Sequence, residues 1–393
     1  MPEAIEIGVL FSTTGSYRTI GRSLACGAVL AMEEVSADTS FPFTLIPVAM
    51  DPGGSAGRYG SCARDLLSTQ NLSHVVGCYT SLSRKEVIPF FEKHDALLWY
   101  PSHYEGFETC ENVVYTGSAP NQHIVPLIDY VLREGWDEAW FIGSNYVWAW
   151  ESHRIMRDAL NQTGGRVLGE RYLPIGDTDL AQAVAQIIEA RPRFVFNNLI
   201  GESAYAFFRA LRAECRRRGI DQTADMPVLS CTLSEPELLE IGPDAAGGHL
   251  CSSVYFQSVH GPRNDRFVAA WNSRFGARNG EAAGPTSADA ESAYNAVHLL
   301  ARALKATGGD QRLEAIREVL GSVSFDAPQG VVRIDPDNRH CHLRPRIGRS
   351  RADGGFDLVW EAPEAARPDP YLAWQAPWRP LGQREAPTLK VVR

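Results

Sequence analysis

No stretch of this sequence approaches the ~20 consecutive apolar residues that a membrane-spanning helix needs, so membrane insertion is not expected. There is no block of one charge either: 38 basic and 47 acidic side chains are interspersed, for a net charge of -9. That balance argues against direct nucleic-acid binding, or an anionic membrane held by charge alone. The one basic cluster, Arg216, Arg217 and Arg218, reads as a solvated helix end where cations complement the dipole. Eight cysteines, at 26, 62, 78, 110, 215, 231, 251 and 341, show no paired spacing, which excludes a disulfide framework and points to a reduced compartment. A Walker loop, an H-E-x-x-H helix and a C-x-x-C pair are all missing, so no catalytic centre, cofactor or metal is expected. In a strand only His340 and His342 of the run His340, Cys341, His342 share a face, too few for a metal site.

What is present is the apolar content of a folded chain, 44% against 22% charged, spread over 393 residues, more than one core serves. The opening MPEAIEIGVLF enters a strand pattern at once, so a cytoplasmic location is expected, or a periplasmic one if a leader precedes Met1. Residues 5–11, 43–49, the run ending at Gly77 and 97–100 read as strands. Between the first two, Leu24, Ala28, Ala31 and Val35 fall on one helical face. Tyr59, Cys62, Ala63, Leu66 and Leu67 repeat that spacing, and a helix over 83–94 follows, opened by the capping-box pair Ser83 and Glu86. Arg84 and Lys85 read as solvated surface of that helix. From residue 122 the alternation starts again, with strands near 139–144, 167–173, 194–197 and 227–231. The class is therefore α/β, with two doubly wound parallel-sheet lobes. Helices return at 267–275 and 288–304, strands at 331–335 and 356–360, and a proline-rich strap runs from Pro363.

Open parallel sheets bind ligands beyond the carboxyl ends of their strands. The residues there are hydroxyls, amides and rings: Tyr79 and Ser81 after the strand ending at Gly77, then Tyr100, Ser102 and His103. Tyr146, Trp148, Asn198 and Thr232 follow the later strands. Carboxylates and bases are few among them, which suits a small neutral polar ligand. Each hydroxyl or amide there also suits a helix N-cap, and the two roles are compatible.

The strings VGCYTSLSRK, YPSHYEGFE, VVYTGSAPNQ, FIGSNY, FDAPQGVVRID and RPDPY together resemble the amide-binding regulators of aliphatic amidase operons (AmiC-type) and the related urea and short-chain amide binding proteins of ABC transporters. The resemblance spans about residues 5–375. It implies a type I periplasmic-binding-protein fold, Leu/Ile/Val-binding-protein-like, with three crossovers and discontinuous lobes. These are 1–120 with 255–325 and 121–254 with 326–375, followed by a tail over 376–393. It implies that Tyr79, Ser81, Tyr100, Ser102 and Tyr146 hold the amide. Ser102, His103, Trp148, Asn197 and Asn198 depart from the regulator's pattern and alter the pocket. The function implied is a cytoplasmic sensor that sequesters an RNA-binding antiterminator partner until amide binds, with solute capture for an ABC transporter as the alternative. Self-association into a homo-oligomer stays open.

Overall fold

The computed structural model describes residues 3–276 and 283–379. Its framework is two sheets whose central strands are buried on both faces, as parallel strands covered by helices must be. In the first, β1 (Glu3–Leu10), β2 (Phe43–Met50), β3 (His74–Gly77), β4 (Leu97–Tyr100) and β5 (Val113–Tyr115) lie in the order β2-β1-β3-β4-β5, every pair parallel. The second holds β6 (Glu138–Ser144), β7 (Arg166–Leu173), β8 (Phe194–Asn198), β9 (Val228–Ser230) and β10 (Leu250–Ser253) in parallel. Its far edge is antiparallel, formed by β14 (Arg346–Ser350) and β15 (Phe356–Glu361). Between them in sequence, β11 (Ser324–Ala327), β12 (Gly330–Ile334) and β13 (Cys341–His342) make a small antiparallel sheet. That sheet reaches the first one through a bridge between Tyr115 and His340.

The chain returns to the first sheet after β10. Helix Ala288–Ala306 lies along helix Arg18–Ala37, whose Leu24, Ala28, Ala31 and Val35 are all buried as their spacing requires. Ser287, which caps the later helix at Ala290 N, sits with its Oγ 2.8 Å from Ser23 Oγ. At this contact a Cβ on Gly27 would lie 2.1 Å from the Ala290 carbonyl oxygen, so only glycine admits this approach.

Two local expectations are corrected. Helix Ser81–Lys93 begins two residues earlier than expected, with Thr80 as the cap accepting from Ser83 N at 3.1 Å. Ser83 is thus inside the first turn, its hydroxyl donating to the Thr80 carbonyl at 2.7 Å. Arg84 is fully buried, not solvated: it lies over the Tyr100 and Tyr104 rings and pairs with Glu105 and Glu108. Lys85 does stay half-exposed. Residues 363–379 run as the expected strap, with Ala366 and Arg367 carbonyls accepting from Gln122 and Asn121. Residues 380–393 of the expected tail lie outside the described residues.

Replacing Gly27 by alanine is expected to lower unfolding stability by about 1–3 kcal/mol, since the helices must move apart to admit the methyl. Urea unfolding checks this, and an unchanged midpoint would show that the helix contact is looser than described.

Candidate functional site

The carboxyl ends of both parallel sheets open on one gap, and the two sides meet across it. Gly201, at φ +58, brings its backbone against Ser16, where a Cβ would stand 2.2 Å from the Ser16 carbonyl oxygen. Glu202 N donates to that same oxygen at 3.0 Å, and Arg18 pairs with the Glu202 carboxylate at 2.6 Å. Rings continue the contact inward: Tyr17 lies 5.5 Å from Tyr79, Tyr79 lies 6.4 Å from His103, and His103 lies 4.9 Å from Trp148. Tyr17, Tyr79, Tyr146 and Trp148 belong to one apolar cluster shared by both sheets. The gap is therefore closed, leaving a cavity of ≈ 10 Å³ bordered by His103, Thr232, Glu235, Tyr255 and Asp289 among others. That volume matches a single water or a head group of similar size.

The residues singled out at the strand ends divide into three groups. His103 and Thr232 border the cavity itself, Thr232 Oγ1 resting 2.9 Å from Ser230 Oγ. Ser102, Trp148 and Asn198 are buried with Ser102 Oγ, Trp148 Nε1 and both polar ends of the Asn198 amide unpartnered among the described residues. Tyr79 and Tyr146 contribute buried rings beside them. Ser81 and Tyr100, by contrast, are spent inside the first-sheet side. The Ser81 hydroxyl donates to Glu105, and the Tyr100 hydroxyl donates to the Tyr79 carbonyl at 2.7 Å. Those two stabilise the loop that carries Tyr79, and neither hydroxyl proton is free for a guest.

Three carboxylates stand here that no strand-end pattern announces. Asp289, in the first turn of helix Ala288–Ala306, is 4% exposed and has no hydrogen bond or ion pair among the described residues. Glu235 opens the short helix after β9 and accepts from Gln257 N at 2.7 Å. Glu237 is held by the Ser234 amide at 3.0 Å and hydroxyl at 2.9 Å. Burial pushes their pKa values up, to about 7 for Asp289, about 7 for Glu235 and about 8 for Glu237. Burial also pushes His103 down to about 4, so its ring is neutral near pH 7. One spacing of another kind, Gly53, Ser55, Gly57, is that of a nucleophile elbow. Ser55 is exposed at a helix start, with no side-chain hydrogen bond to a base among the described residues.

The raised carboxylates fix a sign for stability. Asp289, Glu235, Glu237 and Glu291, the last also lifted to about 7, ionise in the unfolded chain at ordinary values of 3.8 to 4.5. Between those values and about pH 8 these four carboxyls hold more protons in the folded state, so their contribution to stability falls as pH rises. Glu108, depressed to about 2 chiefly by the Arg84 guanidinium, and Glu170, depressed to about 2 chiefly by its His153 hydrogen bond and then by Arg157, act oppositely, but only on strong acidification. Buried histidines act oppositely as well, His74 and His103 being held down to about 4 and His249 and His340 to about 3, so their protonation below pH 6.5 works against the folded state. Urea midpoints are therefore expected to be higher at pH 7 than at pH 8. A higher midpoint at pH 8 would mean that these carboxylates are compensated.

Comparison with known proteins places this geometry. The model of the periplasmic binding protein domain matches residues 5–377. A Leu/Ile/Val-binding protein homolog of Brucella abortus is 22% identical over 347 residues, covering 86% of this chain and 85% of its own. Among solved structures, an ABC transporter solute-binding protein of R. palustris in complex with 4-hydroxybenzoate superposes with a TM-score of 0.80 at 20% identity, covering 95% of this chain and 100% of that one. The branched-chain amino acid transporter substrate-binding protein of Streptococcus pneumoniae, in complex with isoleucine, gives a TM-score of 0.78 at 18% identity, covering 92% and 100%. The match over nearly the whole described chain, with two parallel sheets facing one gap, shows that this protein belongs to the periplasmic binding protein family and has its type I, Leu/Ile/Val-binding-like fold.

Proposed function

We propose that the chain captures a small polar nitrogen compound between two closing lobes as the solute-binding component of an ABC uptake system. The lobes are residues 1–120 with 255–325 and 121–254 with 326–375, and the site of work is then the periplasm or its equivalent. The observation that carries the reading is the set of buried polar groups without partners among the described residues at the carboxyl ends of the strands: Ser102 Oγ after β4, Trp148 Nε1 after β6 and the whole Asn198 amide at the end of β8. Leaving such groups unpaired costs about 1–3 kcal/mol each, a cost that a hydrogen-bonding guest removes.

Amides and ureas lead the solute class, because donors and acceptors side by side on one small molecule complement an amide such as Asn198. The two solved neighbours quoted above are named for transport, so uptake comes before a cytoplasmic regulator that holds an antiterminator. Two of the neighbours hold 4-hydroxybenzoate and isoleucine, both carrying a carboxylate. A bare carboxylate suits this cleft poorly, since its cavity is bordered by Glu235 and Asp289 and, among the described residues, by no lysine or arginine. A four-heavy-atom guest at a ceiling of ~1.5 kcal/mol per atom binds with at most ~6 kcal/mol, a dissociation constant of tens of micromolar.

A thermal-shift screen of amides, ureas and lactams tests the reading, since a guest of the folded state raises the melting point by mass action. Asn198→Ala is expected to weaken the best solute by about 1–3 kcal/mol while leaving the melting point of the protein alone unchanged or higher, because no protein hydrogen bond is lost. Unchanged affinity would remove Asn198 from the site, and a screen without any shift would count against capture of this solute class.

A further inference from the structure

We propose that the captured solute carries a protonated nitrogen, and that this cation bridges Asp289 of the first lobe and Glu235 of the second when the cleft shuts. The inference rests on the capture reading and changes its guest from a neutral amide or urea to a cationic analogue of the same shape. Asp289 is held from the first-lobe side: its helix is fixed at the start by Ser287, which meets Ser23 of helix Arg18–Ala37. Glu235 comes from the opposite side, on the helix that follows β9 of the second sheet. Both border the same cavity.

Neither carboxylate is neutralised by the protein. Asp289 is 4% exposed with no hydrogen bond or ion pair among the described residues, and Glu235, at 2%, takes its hydrogen bond from the main chain at Gln257 N. The two fully buried arginines among the described residues are both committed elsewhere, Arg84 to Glu105 and Glu108, and Arg346 to Glu361 and the Val254 and Gln329 carbonyls. Burial lifts both carboxylates, and the charge of Asp289 lifts Glu235 further, so the two repel when ionised together. Shutting the lobes removes water from both and brings like charges together, which opposes closure. A single positive charge between them turns one repulsion into two attractions, each strengthened by the dry surroundings.

The rest of the lining fits that head group. Tyr255, Phe256 and the neutral His103 supply ring surface, which attracts a cation placed against it. Thr232 and Ser253 supply hydroxyl oxygens that can accept from N–H groups. The cavity of ≈ 10 Å³ admits a group the size of one ammonium. The remainder of the solute is left to the unpartnered Ser102 and Asn198 groups. The solute class is then a small organic cation: an ammonium, amidinium or guanidinium compound, the last two being planar like an amide or a urea.

Pairs of equal shape and different charge test this. Acetamidinium against acetamide, and guanidinium against urea, are titrated calorimetrically into the full chain at constant ionic strength. The cationic member of each pair is expected to bind at least about tenfold more tightly, a modest share of the coupling that buried charge pairs show. In Asp289→Asn that preference falls towards one, and Glu235→Gln gives the same comparison should the first variant fold poorly. A neutral member that binds as tightly as its cation, or a preference that survives both substitutions, overturns the proposal. So does finding that neither pair binds while a neutral or anionic solute from the wider screen does, and capture then stands. If no solute binds at all, capture falls as well.

Discussion

Closing two sheets end to end dries whatever their loops carry, and that constraint organises the molecule. Parallel strands leave their carboxyl ends, with helix starts beside them, on one side of each sheet. Here both such sides face each other, sealed at one place by Gly201 against Ser16 and at another by the rings of Tyr17, Tyr79, His103 and Trp148. The apolar contact favours closure, and the polar groups it encloses oppose it. A guest that satisfies those groups tips the balance, and it can do so only by as much as it prefers the shut arrangement.

The first-sheet side shows how the chain builds a firm floor for such a gap. Arg84 lies beneath Tyr100 and Tyr104, with the Glu105 and Glu108 carboxylates around its guanidinium. Ser81 and Tyr100 are tied into that network through Glu105 and the Tyr79 carbonyl. Removing one partner would strand a buried charge, which is far more costly than losing a surface pair. The loop bearing Tyr79 is thereby held rigid, and the closing surface is presented by groups that do not need to rearrange.

Much of this architecture was legible in the residues. Buried runs such as 5–11 and 97–100 alternating with helical stripes such as Leu24, Ala28, Ala31 and Val35 required parallel sheets, and the sheets are there. β5 and β10 were not read, because so short a run has no measurable period, whereas β3, β4 and β9 of similar length were marked out by the helical stripes beside them. His103, Trp148, Asn198 and Thr232 were singled out by their place after a strand, and the fold buries Trp148 and Asn198 with unpartnered groups and sets His103 and Thr232 at the cavity. Arg84 was misread, and the engagement of the Ser81 hydroxyl went unseen, for a common reason: their partners, Glu105 and Glu108, lie more than twenty residues along the chain. Asp289 and Glu235 escaped notice because an acid in a first turn after a capping serine is the ordinary start of a helix. Only the fold reveals that those two helix starts share a cavity.

A cleft that shuts on a guest must make the protein more compact in solution. Small-angle X-ray scattering of the full chain, recorded with and without the tightest solute from the screens, reads that change directly. The radius of gyration is expected to fall when the solute is added and to stay lower at saturation. An identical scattering profile with solute bound would contradict closure as the means of capture.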